Sequence, residues 1–547
     1  MASPRPFFLT PSSSDDHSSQ EDSPDSPRPR ISKRRQDPPP SAFTFPFADP
    51  ARRSPFLSPA SRPSTIWSPP PVSANPSVIA LPLTQKKPIQ STRLKSKLTK
   101  DDKPWLTKKR RCESGSWWLT FVAALLGVLI AAALCFRGWE SVDLLSDSQL
   151  CLVMQDDFDS SIDPNNWSLD VELGGFGNGE FEMTTDNPSN VYISNGQLYI
   201  MPTLTSDSID GGWASVMDGA TYSLPDCTAQ GGGSGNSTTT GSSNSTTSSN
   251  STTASSNPCT AVSNNQSGTI INPVMSGRLN TRGKQTIKYG RVEVRAKLPQ
   301  GDWLWPAIWM LPQGNSTSSS TAQGTGVYGA WPLSGEIDIM EARGNLPSYP
   351  AQGSNYVRSS LNYGPFAGGS TPISTGTSTT ANLLKSIYGW VSTKRGNFAD
   401  GFHVYALEWT GEWMRFYTDD RLQAMINLKI SSKSSDSYFF NTGGFPGVAM
   451  NASSGKEVVV EDPWSTAYGG SAAAPFDQEF YLVIDLAVGG TSGWFPDSVG
   501  GKPWYDGSAT AMRDFASKYE QWSATWPSNP DERAFRIDYV KMWNLCG

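Results

Sequence analysis

Beyond residue 150, apolar and polar positions alternate in short runs punctuated by turn-forming residues, the two-residue period of half-buried strands. Val292 to Leu298 carries a charge at every second position. Val191–Ser194 and Gln197–Ile200 flank Asn195-Gly196, a dipeptide suited to the positive φ angles of a two-residue hairpin turn. Trp413 to Met425 predicts another hairpin, turning at Asp419-Asp420. Many short strands with few convincing helices predict an all-β domain over 151–547, built as a sandwich of two antiparallel sheets with the concave face of a jelly roll.

One run departs from this pattern. Trp117 to Phe136 is a stretch of 20 residues without a charge, enough to span a bilayer core as a helix. Lys108-Lys109-Arg110-Arg111 precede it and a lone Arg137 follows, so the basic side is expected to stay cytoplasmic. With more than 100 residues before it, the run reads as an uncleaved signal anchor of a single-pass type II membrane protein. The carboxyl-terminal domain then lies in the lumen or outside the cell, in the secretory pathway or at the plasma membrane, and 137–150 forms a short linker.

Charge divides the chain at the same place. Residues 1–116 hold 20 Lys and Arg against 10 Asp and Glu, leaving 24 against 40 in the remainder. The first segment is rich in Pro and Ser, too polar to offset the entropy of ordering, and is expected to be a disordered cytoplasmic tail. Opposite signs in the two parts point to two compartments and exclude a nucleic-acid-binding surface as the common theme. Residues 230–257 are a low-complexity Gly/Ser/Thr/Asn insertion, and 313–327 and 366–383 read as further surface insertions.

Glycosylation sequons at Asn166, Asn236, Asn244, Asn250, Asn265, Asn315 and Asn451 all follow the apolar run, in keeping with a lumenal domain. Cys151, Cys227, Cys259 and Cys546 also lie beyond it, and four cysteines allow three pairings. The favoured one joins Cys227 to Cys259 across the insertion and Cys151 to Cys546 across the ends of the domain.

The chemistry concentrates in Gly335-Glu336-Ile337-Asp338-Ile339-Met340-Glu341-Ala342. Crowded carboxylates raise one another's pKa values and give a strand nothing structural, so a chemical role competes with a solvated edge strand. Glu336 and Asp338 share a face, whereas Glu341 joins them only if a bulge around Ile339 to Met340 inserts one residue. Two carboxylates on one strand suit glycoside hydrolysis with retention, which requires a separation of about 5 Å. No metal-ligand cluster, phosphate-binding glycine loop or Ser/Cys nucleophile arrangement stands out. The chain holds 20 Trp, and flat aromatics stack on the C–H faces of sugars. Trp305, Trp309, Trp331 and Trp494 are the candidate platforms, with core filling as the competing role. Trp303 is expected to share a strand face with Trp305.

Around the carboxylates, Gly301-Asp302-Trp303-Leu304-Trp305-Pro306-Ala307-Ile308-Trp309-Met310, Gly177-Asn178-Gly179-Glu180, Tyr289 to Lys297, Phe402 to Trp409 and Phe480 to Gly490 form a set of motifs. Together they resemble glycoside hydrolase family 16, in particular its laminarinase-like branch, which also holds β-1,3-glucan recognition proteins. The resemblance implies a concanavalin A-like jelly roll and an endo-acting glycosidase for β-1,3- or mixed 1,3/1,4-glucan. Glu336 resembles the nucleophile, Glu341 the acid/base and Asp338 the assisting acid. Asn178, Asn345 and His403 join the tryptophans as substrate-binding candidates, His403 being expected near the glutamates. Asp485 departs from the family's usual Asn. No cofactor is required; a structural calcium on the convex face, with Asp538 as a ligand, is a further implication. The partners expected are a β-glucan polysaccharide and the lipid bilayer. A glucan transglycosylase and a non-catalytic glucan-binding or assembly protein are the alternatives.

Overall fold

The computed structural model describes residues 96–107, 111–140, 142–229, 257–314, 324–367, 373–375, 379–381, 383–432, 435–450 and 456–546. Residues 1–95 of the tail and 230–256 of the insertion lie outside them, as do Lys108 to Arg110, parts of both further insertions, and the sequons at Asn236, Asn244, Asn250, Asn315 and Asn451.

The apolar run is helical, but the helix extends past its expected limits, over Arg111–Glu140. Its apolar residues point in every direction rather than forming a stripe, so no single face specifies a protein partner. Within it, Ser114–Glu140 is long and apolar enough to cross a membrane. The first residues of the expected linker therefore continue the helix, and the following strand starts at Leu150.

From residue 137 onward the chain forms one unit. Two eight-stranded sheets dominate it. The sheet that carries the carboxylates contains Ser168–Leu169 (β1), Arg278–Asn280 (β2), Leu304–Pro312 (β3), Glu336–Ala342 (β4), Tyr356–Tyr363 (β5), Lys385–Ser392 (β6) and Phe480–Val488 (β7). Their spatial order is β6-β5-β4-β3-β7-β2-β1, with Thr286–Ile287 also pairing β7. The second sheet runs Ala424–Lys429, Trp413–Thr418, His403–Trp409, Gly290–Lys297, Phe535–Leu545, Gln197–Ile200 and Val191–Ser194, with Leu150–Asp156 against Phe535–Leu545.

Residue pattern explains both sheets. Gly290–Lys297 alternates buried Val292, Val294 and Ala296 with half-buried charged residues, as a strand covered on one side must. Phe480–Val488 is buried along its whole length: Phe480, Leu482, Ile484, Leu486 and Val488 enter the core between the sheets, and the intervening residues face the other way. Asn195 and Gly196 have φ of 54° and 68°, the left-handed pair that closes the hairpin. The core between the sheets includes Ile337, Ile339 and Met340 from β4, Val357 and Leu361 from β5, and Tyr405 and Leu407 from the second sheet.

Disulfides join Cys151 to Cys546 and Cys227 to Cys259, with Cα separations of 5.3 and 5.8 Å. The first fastens Leu150–Asp156 to the end of its neighbour Phe535–Leu545. The second closes the base of the 230–257 insertion.

Candidate active site

Strand β4 pairs regularly with β5 at Glu336↔Asn362, Ile337↔Leu361 and Asp338↔Ser360, then resumes at Glu341↔Arg358. Three residues on β4 thus advance against two on β5, which is a bulge at Ile339 and Met340. The same slip appears against β3, where Trp309 opposes Asp338 and Ala307 opposes Glu341. Ile339 and Met340 both sink into the core, and the three acids emerge on one face.

Polar side chains from the neighbouring strands hold them. Trp331 Nε1 donates to Glu336 Oε2 at 2.8 Å, and Asn362 Nδ2 donates to Glu336 Oε1 at 2.9 Å and to Asp338 Oδ2 at 2.8 Å. Ser360 Oγ reaches Asp338 Oδ2 at 2.7 Å and Glu341 Oε2 at 3.2 Å. Glu341 also takes Arg358 on Oε2 and Trp305 Nε1 on Oε1, each at 3.2 Å. Arg358, Ser360 and Asn362 are alternate residues of β5, so one strand face supplies all three supports. The two-residue spacing was visible in the sequence, but nothing in those residue types alone marked them.

Burial pushes Glu336 up to about 7, with the Glu341 charge adding to the rise and the Asn362 and Trp331 donors opposing it. Burial, reinforced by the charges of Glu336 and Glu341, holds Asp338 well above the usual carboxylate range. Asp338 thus stands between the two glutamates in a setting that disfavours a third negative charge.

A second set of buried charges lies on the β7 side of the sheet. Register aligns Arg358, Glu341, Ala307, Asp485 and Arg278 in one row across β5, β4, β3, β7 and β2. Asp485 Oδ1 accepts Trp309 Nε1 at 2.6 Å, and Arg278 pairs with Asp170 at 3.0 Å while its guanidinium lies 4.0 Å from the Phe176 ring. Burial raises Asp485 to about 6 against the pull of Arg278 and the Trp309 N–H. Burial and the Asp485 charge raise Glu180 to about 7, and burial also holds Glu182 well above the usual carboxylate range. Residues distant in sequence form this cluster; the motifs pointed to Asp485, Asn178 and Glu180, but nothing marked Arg278, Asp170 or Glu182 as their partners.

The structure distributes the candidate sugar platforms unevenly. Trp309 and Trp331 are half-buried and turn their N–H groups to carboxylates. Trp305 and Trp494 are buried and stacked on each other at 4.8 Å, and Arg343 and Arg358 lie 4.2 and 4.4 Å from the Trp494 ring. Trp494 is therefore a wall that holds Arg358, not an open platform. Trp303 does not share the face of Trp305: its φ of 69° turns the backbone before β3 begins, and its ring enters the core against Phe495 and Trp504.

Two further expectations need correction, at His403 and Asn345. His403 belongs to the second sheet, where it opposes Ala296 and its Nδ1 meets Asp419 at 2.8 Å, so the fold does not bring it to the glutamates. Asn345 is buried and ties the Trp303 N–H to the Asp302 carboxylate, which occupies its amide internally. Asp538 carries an ion pair with Arg295 at 2.5 Å. Among the described residues no group of three His, Cys, Asp or Glu side chains is placed to hold a metal ion. Asn178 donates to Glu180 Oε1 at 3.1 Å and joins the second charged cluster. Of the sequons, Asn265 is exposed in a turn, while Asn166 is half-buried and accepts from Gln285.

A family model described as glycosyl hydrolases family 16 matches residues 238–471, which contain all three acids. A β-1,3-glucan-binding protein of Penaeus monodon is 34% identical over 401 residues, covering 72% of this chain and 90% of that protein. A glucan endo-1,3-beta-glucosidase A1 of Niallia circulans is 33% identical over 216 residues, 39% of this chain and 22% of the bacterial protein. The laminarinase structure from Rhodothermus marinus aligns with a TM-score of 0.38 at 21% identity, over 73% of this chain and 98% of its own.

Proposed function

The chain belongs to glycosyl hydrolase family 16, and on that premise we propose that it is a retaining endo-β-glucanase for β-1,3- or mixed 1,3/1,4-glucan. The observation that carries this reading is the bulged strand, which turns Glu336, Asp338 and Glu341 to one face within a shared hydrogen-bond network. In the proposed reaction a Glu336 oxygen attacks the anomeric carbon as the glycosidic C–O bond breaks. Glu341 gives its proton to the departing oxygen. Glu341 then removes a proton from water, whose oxygen displaces Glu336 and regenerates the site. Trp331 and Asn362 each bond one oxygen of Glu336 and so fix the plane of the attacking carboxylate. Asp338, whose ionisation is disfavoured by burial and by both glutamates, sits between them and accepts from Ser360 and Asn362.

The apolar helix supports placement as a type II membrane protein, with the β-sandwich outside the cytoplasm and acting on wall glucan. The two disulfides favour that oxidising side. If a sugar hydroxyl replaces water in the second step, the same site is a transglycosylase.

A second reading, glucan binding without turnover, is favoured by the Penaeus monodon relative, which is named for binding. The full chain in detergent, incubated with laminarin, mixed-linkage glucan and labelled acceptor oligosaccharides, separates these readings. Shorter products lost in Glu336→Gln support the hydrolase, and lengthened acceptors support the transglycosylase. Binding without any product overturns the enzymatic assignment.

A further inference from the structure

The rows of side chains that hold the acids continue onto β6, the edge strand of the sheet. Register places Tyr388 opposite Ser360 and Trp390 opposite Arg358. Residues directly opposed in an antiparallel pair point to the same face, so both aromatics stand on the face of the acids. Arg358 bridges the two regions, contacting Glu341 and lying 5.8 Å from the Tyr388 ring. Ser386, two residues before Tyr388, donates to Asn362 Oδ1 at 2.7 Å.

These rings are open where the nearer tryptophans are covered. Tyr388 is 49% and Trp390 51% exposed, and their rings lie 6.2 Å apart at 25°, a pair of nearly parallel surfaces. Ile387 and Val391 point the opposite way and pack on the core. Gly389 between the two aromatics lies so close to the second sheet that an added Cβ would come within 1.8 Å of the Met425 carbonyl oxygen. The strand is therefore pinned from behind while its aromatic face is bare, a platform that loses little entropy when a ligand covers it.

We propose that Tyr388 and Trp390 form an outlying subsite that stacks on pyranose rings of a β-glucan chain extending from the acids across β5. Two strand spacings of about 4.8 Å separate β6 from β4, which puts the platform beyond the ring under attack. It selects for chain length: a long glucan reaches it and a short oligosaccharide does not. Flat apolar C–H faces on an uncharged polymer match an exposed aromatic pair, with Arg358 between platform and acids as a hydrogen-bond donor.

The inference rests on the glucan-active reading, and its test separates the two. In the full chain carrying Glu336→Gln, binding of β-1,3-gluco-oligosaccharides of graded length is measured by calorimetry, with and without Trp390→Ala and Tyr388→Ala. Affinity for the longest oligosaccharides should fall about tenfold, with the shortest unaffected and Trp390→Phe restoring most of the loss. Equal affinity at every length in variants with unchanged melting temperature overturns the platform. Length-dependent loss with no turnover by the Glu336 chain removes the enzymatic reading and leaves the platform. Turnover with unaltered binding in the alanine variants does the reverse.

Discussion

Replacing Asp485 by Asn should make the protein more stable at neutral pH and leave it nearly unchanged in acid. Asp485 is 5% exposed, and burial raises its carboxyl from 3.8 to about 6 even though Arg278 and the Trp309 N–H favour the ionised form. Its folded state therefore binds a proton more tightly than its unfolded state. Near pH 4 and below, the folded chain holds that proton and bears no ionisation penalty; as pH rises through about 6, the buried group must ionise and stability falls. A rise of roughly two pH units at about 1.4 kcal/mol each corresponds to about 3 kcal/mol lost above pH 6. The amide introduced by Asp485→Asn keeps an oxygen to accept from Trp309 Nε1 and cannot ionise. It also removes a charge that raises Glu180, an effect of the same sign. Arg278 keeps its contact with Asp170. Urea unfolding of the full chain in detergent, followed by tryptophan fluorescence at pH 4 and pH 7.5, measures the difference. Asp485→Asn should gain about 2–3 kcal/mol at the higher pH relative to the lower. A gain equal at both pH values, or a loss at pH 7.5, refutes the assignment of Asp485 as a buried group ionised at a cost.

Other consequences follow from the same network. An ionised Glu336 is required for attack, so kcat/KM should rise with pH through about 7, and Trp331→Phe, which removes a donor that lowers Glu336, should move that limb upward; an unmoved limb denies Glu336 the nucleophilic role. Arg358→Gln should lower kcat on every glucan by about tenfold or more, because it frees Glu341 from the contact that positions it; a change confined to KM would place Arg358 in binding alone. Cys227→Ser with Cys259→Ser removes a link spanning 32 residues and should cost about 3 kcal/mol of stability in denaturant titration.

The sandwich and the bulge were legible in the sequence because both depend on local periodicity. Alternation over Val292 to Leu298 gives the strand its face, and the count from Glu336 to Glu341 is wrong for a shared face unless one residue is inserted. What stayed hidden depends on long-range pairing or on a single dihedral. Trp303 left the cleft through one left-handed φ, which no periodicity reveals. His403 is in a different sheet from the acids because its strand joins Gly290–Lys297. Arg278 meets Asp170 across 108 residues of chain. Likewise, Tyr388 and Trp390 gain meaning only when their register with Ser360 and Arg358 is known.

The electrostatics of the concave face bear on whether such a protein binds or cuts. A β-glucan carries no charge, so a protein that only holds it needs stacking surfaces and hydrogen-bond partners, and gains nothing from carboxylates buried against their ionisation. Here Glu336, Asp338, Glu180, Glu182 and Asp485 are all raised by burial first, and two arginines in the same register row, Arg358 and Arg278, flank the Glu341–Ala307–Asp485 segment. Each such group weakens the fold as pH rises, a cost that selection retains most readily where proton affinity itself is used. Ala307, the small residue between Glu341 and Asp485 in that row, separates the two acidic groups without adding a charge of its own. Ionisable groups buried on and beside the bulged strand therefore favour the proposed cleavage over retention of an intact chain.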